Sequence, residues 1–294
     1  MSSDRDRGIL GPDAVAWTVV GHPGALIGGL RALVIQSLHP LAMAGVAQHS
    51  DYRNRALERL RRTAAYVAAG VFGDRATAEE AGARVRRMHS RVRGIDPVTG
   101  RAYSADDPQT QVWVHAVEWH SFLAAHRAFG RELSAEEEDR YVAEGVRIAA
   151  LVGTPAELVP DSVEAMRAYF ASVRPQLCVS APAREAIDFV LRPPLTRELL
   201  AVQAPLRVFA NAAVALVPSD LRRLAGIDRP RALDAAAIAV ARPWIESLRL
   251  PLIRQYASNV VGTKVRDLHL EAMDRFGDIT IDGVRERATA ALAA

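Results

Sequence analysis

The sequence predicts an all-α fold, and three observations carry that expectation. Apolar residues recur every three to four positions through most of the chain, the spacing that gives a helix one buried face. No segment shows the sustained period-two alternation of a half-buried strand. Half of the residues are hydrophobic while only 6% are aromatic, so Ala, Val and Leu must build the core, and small side chains suit closely packed helices.

Each element follows from local signals. Asp13 to Val20 starts a short helix that Gly21-His22-Pro23-Gly24 breaks. Ala25 to Leu38 is an apolar, buried helix, stopped at His39 because the residue before Pro40 avoids the α region. Leu41 to Gln48 is a further short helix. Asn54 to Ala69 and Ala76 to Val92 are helices with polar stripes, parted by a break around Gly70 and Gly73. Gly94 to Asp107 is rich in turn residues and reads as a loop. Asp107 before Pro108 is an N-cap with proline at the first helical position, opening a helix to about Phe129. Within it His115, Trp119, Phe122 and His126 form one stripe. Ser134-Ala135-Glu136-Glu137 is a capping box opening Ala135 to Val152, which Gly153-Thr154-Pro155 closes. Asp161 to Phe170 is helical. Arg197 to Val217 and Ala232 to Tyr256 read as long buried helices, the second kinked or divided by Pro243 and Pro251, and the last helical stretches lie beyond His269.

The organisation expected is one helical domain, with a functional portion over about 8–180 and a C-terminal helical portion over about 195–290. The run through Pro182, Pro193 and Pro194 marks the boundary. There is no internal repeat.

Composition excludes several function classes. The 37 Lys+Arg nearly balance the 34 Asp+Glu, for a net charge of +3, and the signs are interspersed, so no nucleic-acid footprint is expected. Lys264 is the only lysine. Cys178 is the only cysteine, which forbids an intramolecular disulfide and a Cys-x-x-Cys-His attachment site. The first residues do not read as a secretory signal. Arg31, Gln36, His39 and Pro40 interrupt the apolar stretch from Ala25 to Val46, so no transmembrane segment is expected. The location expected is cytoplasmic. Glu-x-x-His pairs, His-Glu-x-x-His, a Walker loop, Gly-x-Gly-x-x-Gly and Gly-x-Ser-x-Gly are all absent; Glu118-Trp119-His120 has the wrong spacing for a di-iron carboxylate motif.

The chemistry-bearing residues concentrate between Arg59 and Gly94. On a helix Arg59, Arg62 and Thr63 project together, and so do His89 and Arg93. An imidazole facing guanidiniums and a hydroxyl across a pocket suits an iron-bound planar cofactor whose anionic groups need cationic partners. His89 is the first candidate for the metal ligand, because its helix ends near a loop able to cover a pocket. A packed or surface histidine is the competing reading. Arg59 and Arg62 read equally as a solvated face, and adjacent Arg61 and Arg62 point about 100° apart, so at least one meets water. His115 belongs to a stripe that reads as core unless a planar ligand fills the space. His39 and His49 stay ambiguous; His39, at a helix end, either caps carbonyls or projects into the pocket.

Several short motifs occur in order: Gly28-Gly29-Leu30-Arg31-Ala32-Leu33, Gln36-Ser37-Leu38-His39-Pro40, Ala44-Gly45-Val46, His49-Ser50, and Arg59-Leu60-x-x-Thr63. Val85-x-x-x-His89-x-x-Val92-x-Gly94, Tyr103-x-Ala105-x-Asp107-Pro108 and Trp113-Val114-His115 follow. Together, over about 8–260, they resemble the MpaB-type haem proteins, relatives of the latex-clearing rubber oxygenases. The resemblance implies a globin-like helical core holding non-covalent haem b (iron protoporphyrin IX), with His89 as the proximal iron ligand and Arg59 and Thr63 on the distal side. Arg62 stands where the rubber oxygenases carry a lysine, and a guanidinium is a poor iron ligand. Those enzymes also place an acidic residue upstream of the distal arginine. Leu38 to Val46 holds no Asp or Glu, which leaves His39 as the titratable candidate.

The expectation that results is an intracellular b-type haem protein with oxygenase- or peroxidase-like activity on a small apolar substrate, with O2 or peroxide as partner. Arg59 and Thr63 hydrogen-bond the oxygen species, and Arg62, Arg93 or another nearby arginine pairs with a propionate. A non-catalytic six-coordinate haem or gas-binding protein, with His39, His49 or His115 as sixth ligand, is the alternative. A haem-free helical scaffold is the third. The sequence leaves the oligomeric state open.

Overall fold

A computed structural model describes residues 6–192 and 203–276. Among these, fourteen α-helices account for nearly all regular structure: α1 (Val15–Gly21), α2 (Ala25–Gln36), α3 (Pro40–His49), α4 (Ala56–Phe72), α5 (Arg75–His89), α6 (Pro108–Phe129), α7 (Ala135–Ala150), α8 (Val163–Val173), α9 (Ala181–Leu191), α10 (Gln203–Leu216), α11 (Ser219–Ala225), α12 (Arg231–Ser247), α13 (Pro251–Val261) and α14 (Thr263–Phe276). The all-α expectation holds.

The predicted caps are present. Asp107 accepts the Thr110 amide at 2.9 Å at the start of α6, and Ser134 and Glu137 close a reciprocal capping box on α7. Proline explains most of the differences. Pro182 lies in the first turn of α9, behind Ser180 as N-cap, so the residue read as a boundary opens a helix instead. Pro251 likewise starts α13 and divides the helix expected to run to Tyr256, whereas Pro243 is accommodated inside α12. Pro218 precedes α11, which Gly226 closes in the left-handed region at φ +70°. α14 begins six residues before His269. Pro193, Pro194 and the expected helix start at Arg197 fall outside the described residues.

A short hairpin replaces part of the expected loop after α5. β1 (Arg93–Ile95) pairs antiparallel with β2 (Ala102–Ser104) in the register Arg93↔Ser104, Gly94↔Tyr103, Ile95↔Ala102. Buried Asp96 holds the connection, accepting the Val98 and Thr99 amides at 3.2 and 2.9 Å.

α6 is the central element. Its residues contribute to the core shared with α1, α4, α7 and α14, to that shared with α2, α9 and α11, and to that shared with α2, α10 and α12. α2 lies so close to α6 that a Cβ on Gly28 would stand 2.8 Å from the Ser121 carbonyl oxygen. Arg31, the charge that interrupts the apolar run, is 2% exposed and ties three helices together. Its Nε donates to the Leu216 carbonyl at 2.8 Å and its Nη1 to Ser121 Oγ at 2.6 Å. No single helix among the described residues is long and apolar enough to cross a membrane; α1 and α2 together reach the length and composition but bend by 85°.

Candidate functional site

Three elements bring the polar stripes into one region. α4 and α5, joined by two residues, pack against each other. The hairpin after α5 is pinned to α3: Gln48 Nε2 donates to the Ile95 carbonyl at 3.1 Å, and Tyr103 donates its hydroxyl to Gln48 Oε1 at 2.7 Å. The stretch expected as a loop is thus an ordered structure that fixes the exit of α5.

His89 is the last residue of α5. The helix stops there, three residues before the expected Val92, because Ser90 caps it and the chain turns into β1. The ring is half-buried and its Nδ1 is enclosed with no hydrogen-bond partner among the described residues, a costly arrangement for a polar atom. Burial holds the imidazole below its ordinary pKa, against the opposing pull of Asp106. The ring is therefore neutral near pH 7, the form that ligates a metal. Arg93 does not share its face. It lies on β1, exposed, 3.8 Å from Asp106.

Along α4 the three predicted residues separate. Arg59 is half-buried, and its Nη1 donates to Ser50 Oγ at 3.1 Å. Burial lowers its pKa first, the Arg62 charge next, while Tyr52 opposes; among the described residues no carboxylate pairs with it. Arg62 and Thr63 are exposed, with Arg62 3.9 Å from Glu58. Arg59 is thus the poorly solvated cation of the group, and a buried guanidinium without a counter-charge is unfavourable until an anion or polar ligand reaches it.

The other candidate histidines have structural partners; outside that group His126 also keeps both ring nitrogens buried without a hydrogen bond among the described residues. His39 caps the opposite helix end from the one expected: buried, it accepts the Ala42 amide through Nδ1 at 3.4 Å at the start of α3 and lies against Trp113. Burial lowers its pKa first, Arg101 next, with Asp107 and Asp96 opposing. His49 is exposed, its Nε2 3.1 Å from the Arg93 carbonyl. His115 stacks on Trp119 at 5.7 Å, and Trp119 stacks in turn on Tyr141 at 4.7 Å. Burial takes His115 down to about 4, against a hydrogen bond to the Gly145 backbone.

Glu118 is the residue that motif reading passes over. One helical turn beyond His115, it sits among α4, α6 and α7, where its charge acts on the Tyr66 and Tyr141 hydroxyls. Burial pushes its carboxyl up to about 7. The available signal was its position: a lone acid beside an aromatic stripe on a long buried helix, with no Lys or Arg three or four positions away.

The donor set suits haem. A neutral imidazole with an unpartnered nitrogen offers an iron ligand, and an under-solvated guanidinium offers a partner for an oxygen species or a carboxylate. Among the described residues no group of three or more His, Cys, Asp or Glu could hold a bare metal ion.

Comparison with known proteins follows the same line. The profile of the family described as "ER-bound oxygenase mpaB/B'/Rubber oxygenase, catalytic domain" matches residues 17–247. The chain is similar to a solved structure of latex clearing protein LCP in the closed state, with a TM-score of 0.57 and 17% identity over 92% of this chain and 76% of that one; at that identity the likeness is one of fold. A search of curated proteins finds no match.

Proposed function

The chain belongs to the mpaB and rubber oxygenase catalytic-domain family, and from that premise we propose that it is a cytoplasmic haem b oxidoreductase acting on a small apolar substrate with dioxygen or peroxide. One observation carries the reading: His89, within the family match, keeps a buried ring nitrogen without a partner while burial holds the ring neutral. His89 would hold the iron. Arg59, short of solvent and paired with no carboxylate among the described residues, would bind the oxygen species or a haem carboxylate. Arg62 and Arg93, both exposed, would pair with propionates from the surface side. Haem, when bound, would supply the activation of dioxygen or peroxide.

The chain's own contribution is orientation and water exclusion. The hairpin pinned to α3 holds the end of α5 and with it the His89 ring. The apolar faces of α4 and α6 keep bulk water from the interior, which strengthens each charge placed there. Thr63, exposed on α4, reaches an inner ligand only if its helix turn shifts. His39 holds α3 by its Nδ1, so an acid–base role would fall to its Nε2.

Adding haemin to the purified protein is expected to produce a Soret band that His89→Ala weakens or abolishes. Undiminished haem uptake by that variant moves the ligand elsewhere, and a protein that takes up no haem refutes the proposal.

A further inference from the structure

Leu252, at the start of α13, is the most exposed large apolar side chain among the described residues, with 81% of its surface in solvent. Ile253 and Tyr256 share its face of the helix, and Leu250 stands just before the first turn. All three are exposed as well, Leu250 by 56% and Tyr256 by 50%. Every residue from 249 to 256 is exposed. Apolar side chains gathered in one short segment of surface mark a contact site rather than the ordinary scatter of single residues.

The same segment is basic. Residues 247–266 carry Arg249, Arg254, Lys264 and Arg266 and no Asp or Glu. The equally acid-free stretch 14–50 supplies much of the core, whereas here Arg249, Arg254 and Lys264 are exposed. Arg249 and Arg266 pair with acids just outside the segment, Glu246 at 3.1 Å and Asp267 at 3.0 Å. Arg254 and Lys264 pair with no carboxylate among the described residues.

α13 is held in place by its other side. It packs on α4 and α14, and Arg61 of α4 donates through Nε to the Val260 carbonyl at 3.0 Å and through Nη2 to the Asn259 carbonyl at 3.2 Å. Those bonds satisfy carbonyls at the C-terminal end of the helix, which have no partner within it. The apolar face is therefore presented on a formed helix, with no ordering cost at the moment of contact.

Whatever covers this face must accept apolar side chains and cations together. The core of a protein–protein interface is depleted of charge, yet here Arg249 adjoins Leu250 and Arg254 adjoins Ile253. An anionic bilayer surface meets both demands: its acyl boundary takes Leu and Ile, its headgroups take Arg and Lys, and a phenol suits the layer between. We propose that α13 docks the protein, without spanning, on a membrane surface of anionic phospholipid. The contact does not depend on haem. Only its use, to bring an apolar substrate to the site that α4 lines, rests on the proposed function.

Vesicle sedimentation tests this with the full-length protein. Binding is expected to vesicles of equal parts phosphatidylglycerol and phosphatidylcholine, to weaken as salt is raised, and to be lost with phosphatidylcholine alone. Leu252→Glu should weaken it about tenfold or more, and Arg254→Gln and Lys264→Gln about fivefold each. Val98→Glu, which puts the same charge on the exposed hairpin connection, should bind like the wild type. Circular dichroism is expected to show all four variants folded, since each replaced side chain is exposed. A wild-type protein that stays in solution, equal binding to both kinds of vesicle, or undiminished binding by Leu252→Glu and Arg254→Gln overturns the proposal. An equal loss in Val98→Glu also overturns it. A dimer in light scattering that Leu252→Glu dissociates, with no capture by vesicles, assigns the face to a second copy of the chain instead.

Discussion

Glu144 illustrates what one carboxylate can do between distant parts of a chain. It lies on α7, is 4% exposed, and accepts the Val15 and Ala16 amides at 3.0 and 2.8 Å. It thereby satisfies the free N–H groups at the start of α1, whose own N-cap, Ala14, has no side chain to do so. Burial raises its pKa, and those backbone bonds and the Arg140 charge oppose the rise. Glu144→Ala would strand two buried amides, and charge-assisted bonds of this kind are worth enough that a loss of about 2–4 kcal/mol is expected. Denaturant unfolding checks it; a loss below about 0.5 kcal/mol would mean that water replaces the carboxylate. Legibility differs sharply between residues. His89 and Arg59 could be chosen from spacing on their helices, because residue type and period are local. Arg93 could not be placed, since the end of α5 depends on the hairpin packing on α3. Glu118 and Glu144 look like any helical glutamate until their surroundings are known.

At the scale of elements, the close approach of α5 to the end of α7 controls where His89 stands. A Cβ on Gly82 would fall 2.3 Å from the Leu151 carbonyl oxygen and 3.1 Å from the Leu151 Cβ, and Arg86 donates to that same carbonyl. Gly82→Ala must therefore push α5 outward. Overpacking of this sort costs about 1–3 kcal/mol, and the helix that moves carries the proposed iron ligand. Lower thermal stability together with weaker haem uptake is expected. Normal uptake in a destabilised variant would show that α5 adjusts without moving its C-terminal turn. The starts of α6 and α7 were readable because Asp107 and Ser134 carry their caps with them, whereas the same signal at Ser180 was passed over for the prolines that follow it. The strands were not: three residues each are too few for a period to show, and their pairing depends on buried Asp96 and on Gln48 from another element.

For the whole molecule, burial of ionisable groups makes stability depend on pH in two opposed ways. His22, His115 and His126 are lowered to about 4, and His120 to about 3, each mainly by burial. They remain neutral in the fold but take up protons near pH 6.5 when unfolded, so their contribution is complete above that pH and is lost as the pH falls toward 4. The shifts correspond to roughly 3–5 kcal/mol each, and a few such terms match the whole stability of a typical domain. Cooperative acid unfolding between about pH 6 and 4 is expected from circular dichroism, and full helical signal with native tertiary spectra at pH 4 would rule out the buried neutral rings. Glu118 acts with the reverse sign. Its raised pKa favours the fold while it is protonated, and that contribution is lost as the pH rises from the unfolded carboxyl range to about 7.

Helical periodicity, capping residues and ordered short motifs sufficed to establish the all-α class, most helix starts and the family, because each is a property of neighbouring residues. Packing alone settled that His89 keeps a nitrogen unpartnered, that Arg62 and Arg93 face water, and that Glu118 stands uncompensated in the interior. The physical reason is that solvation and hydrogen-bond satisfaction depend on atoms brought together from far apart in the chain, and a linear pattern carries no record of them.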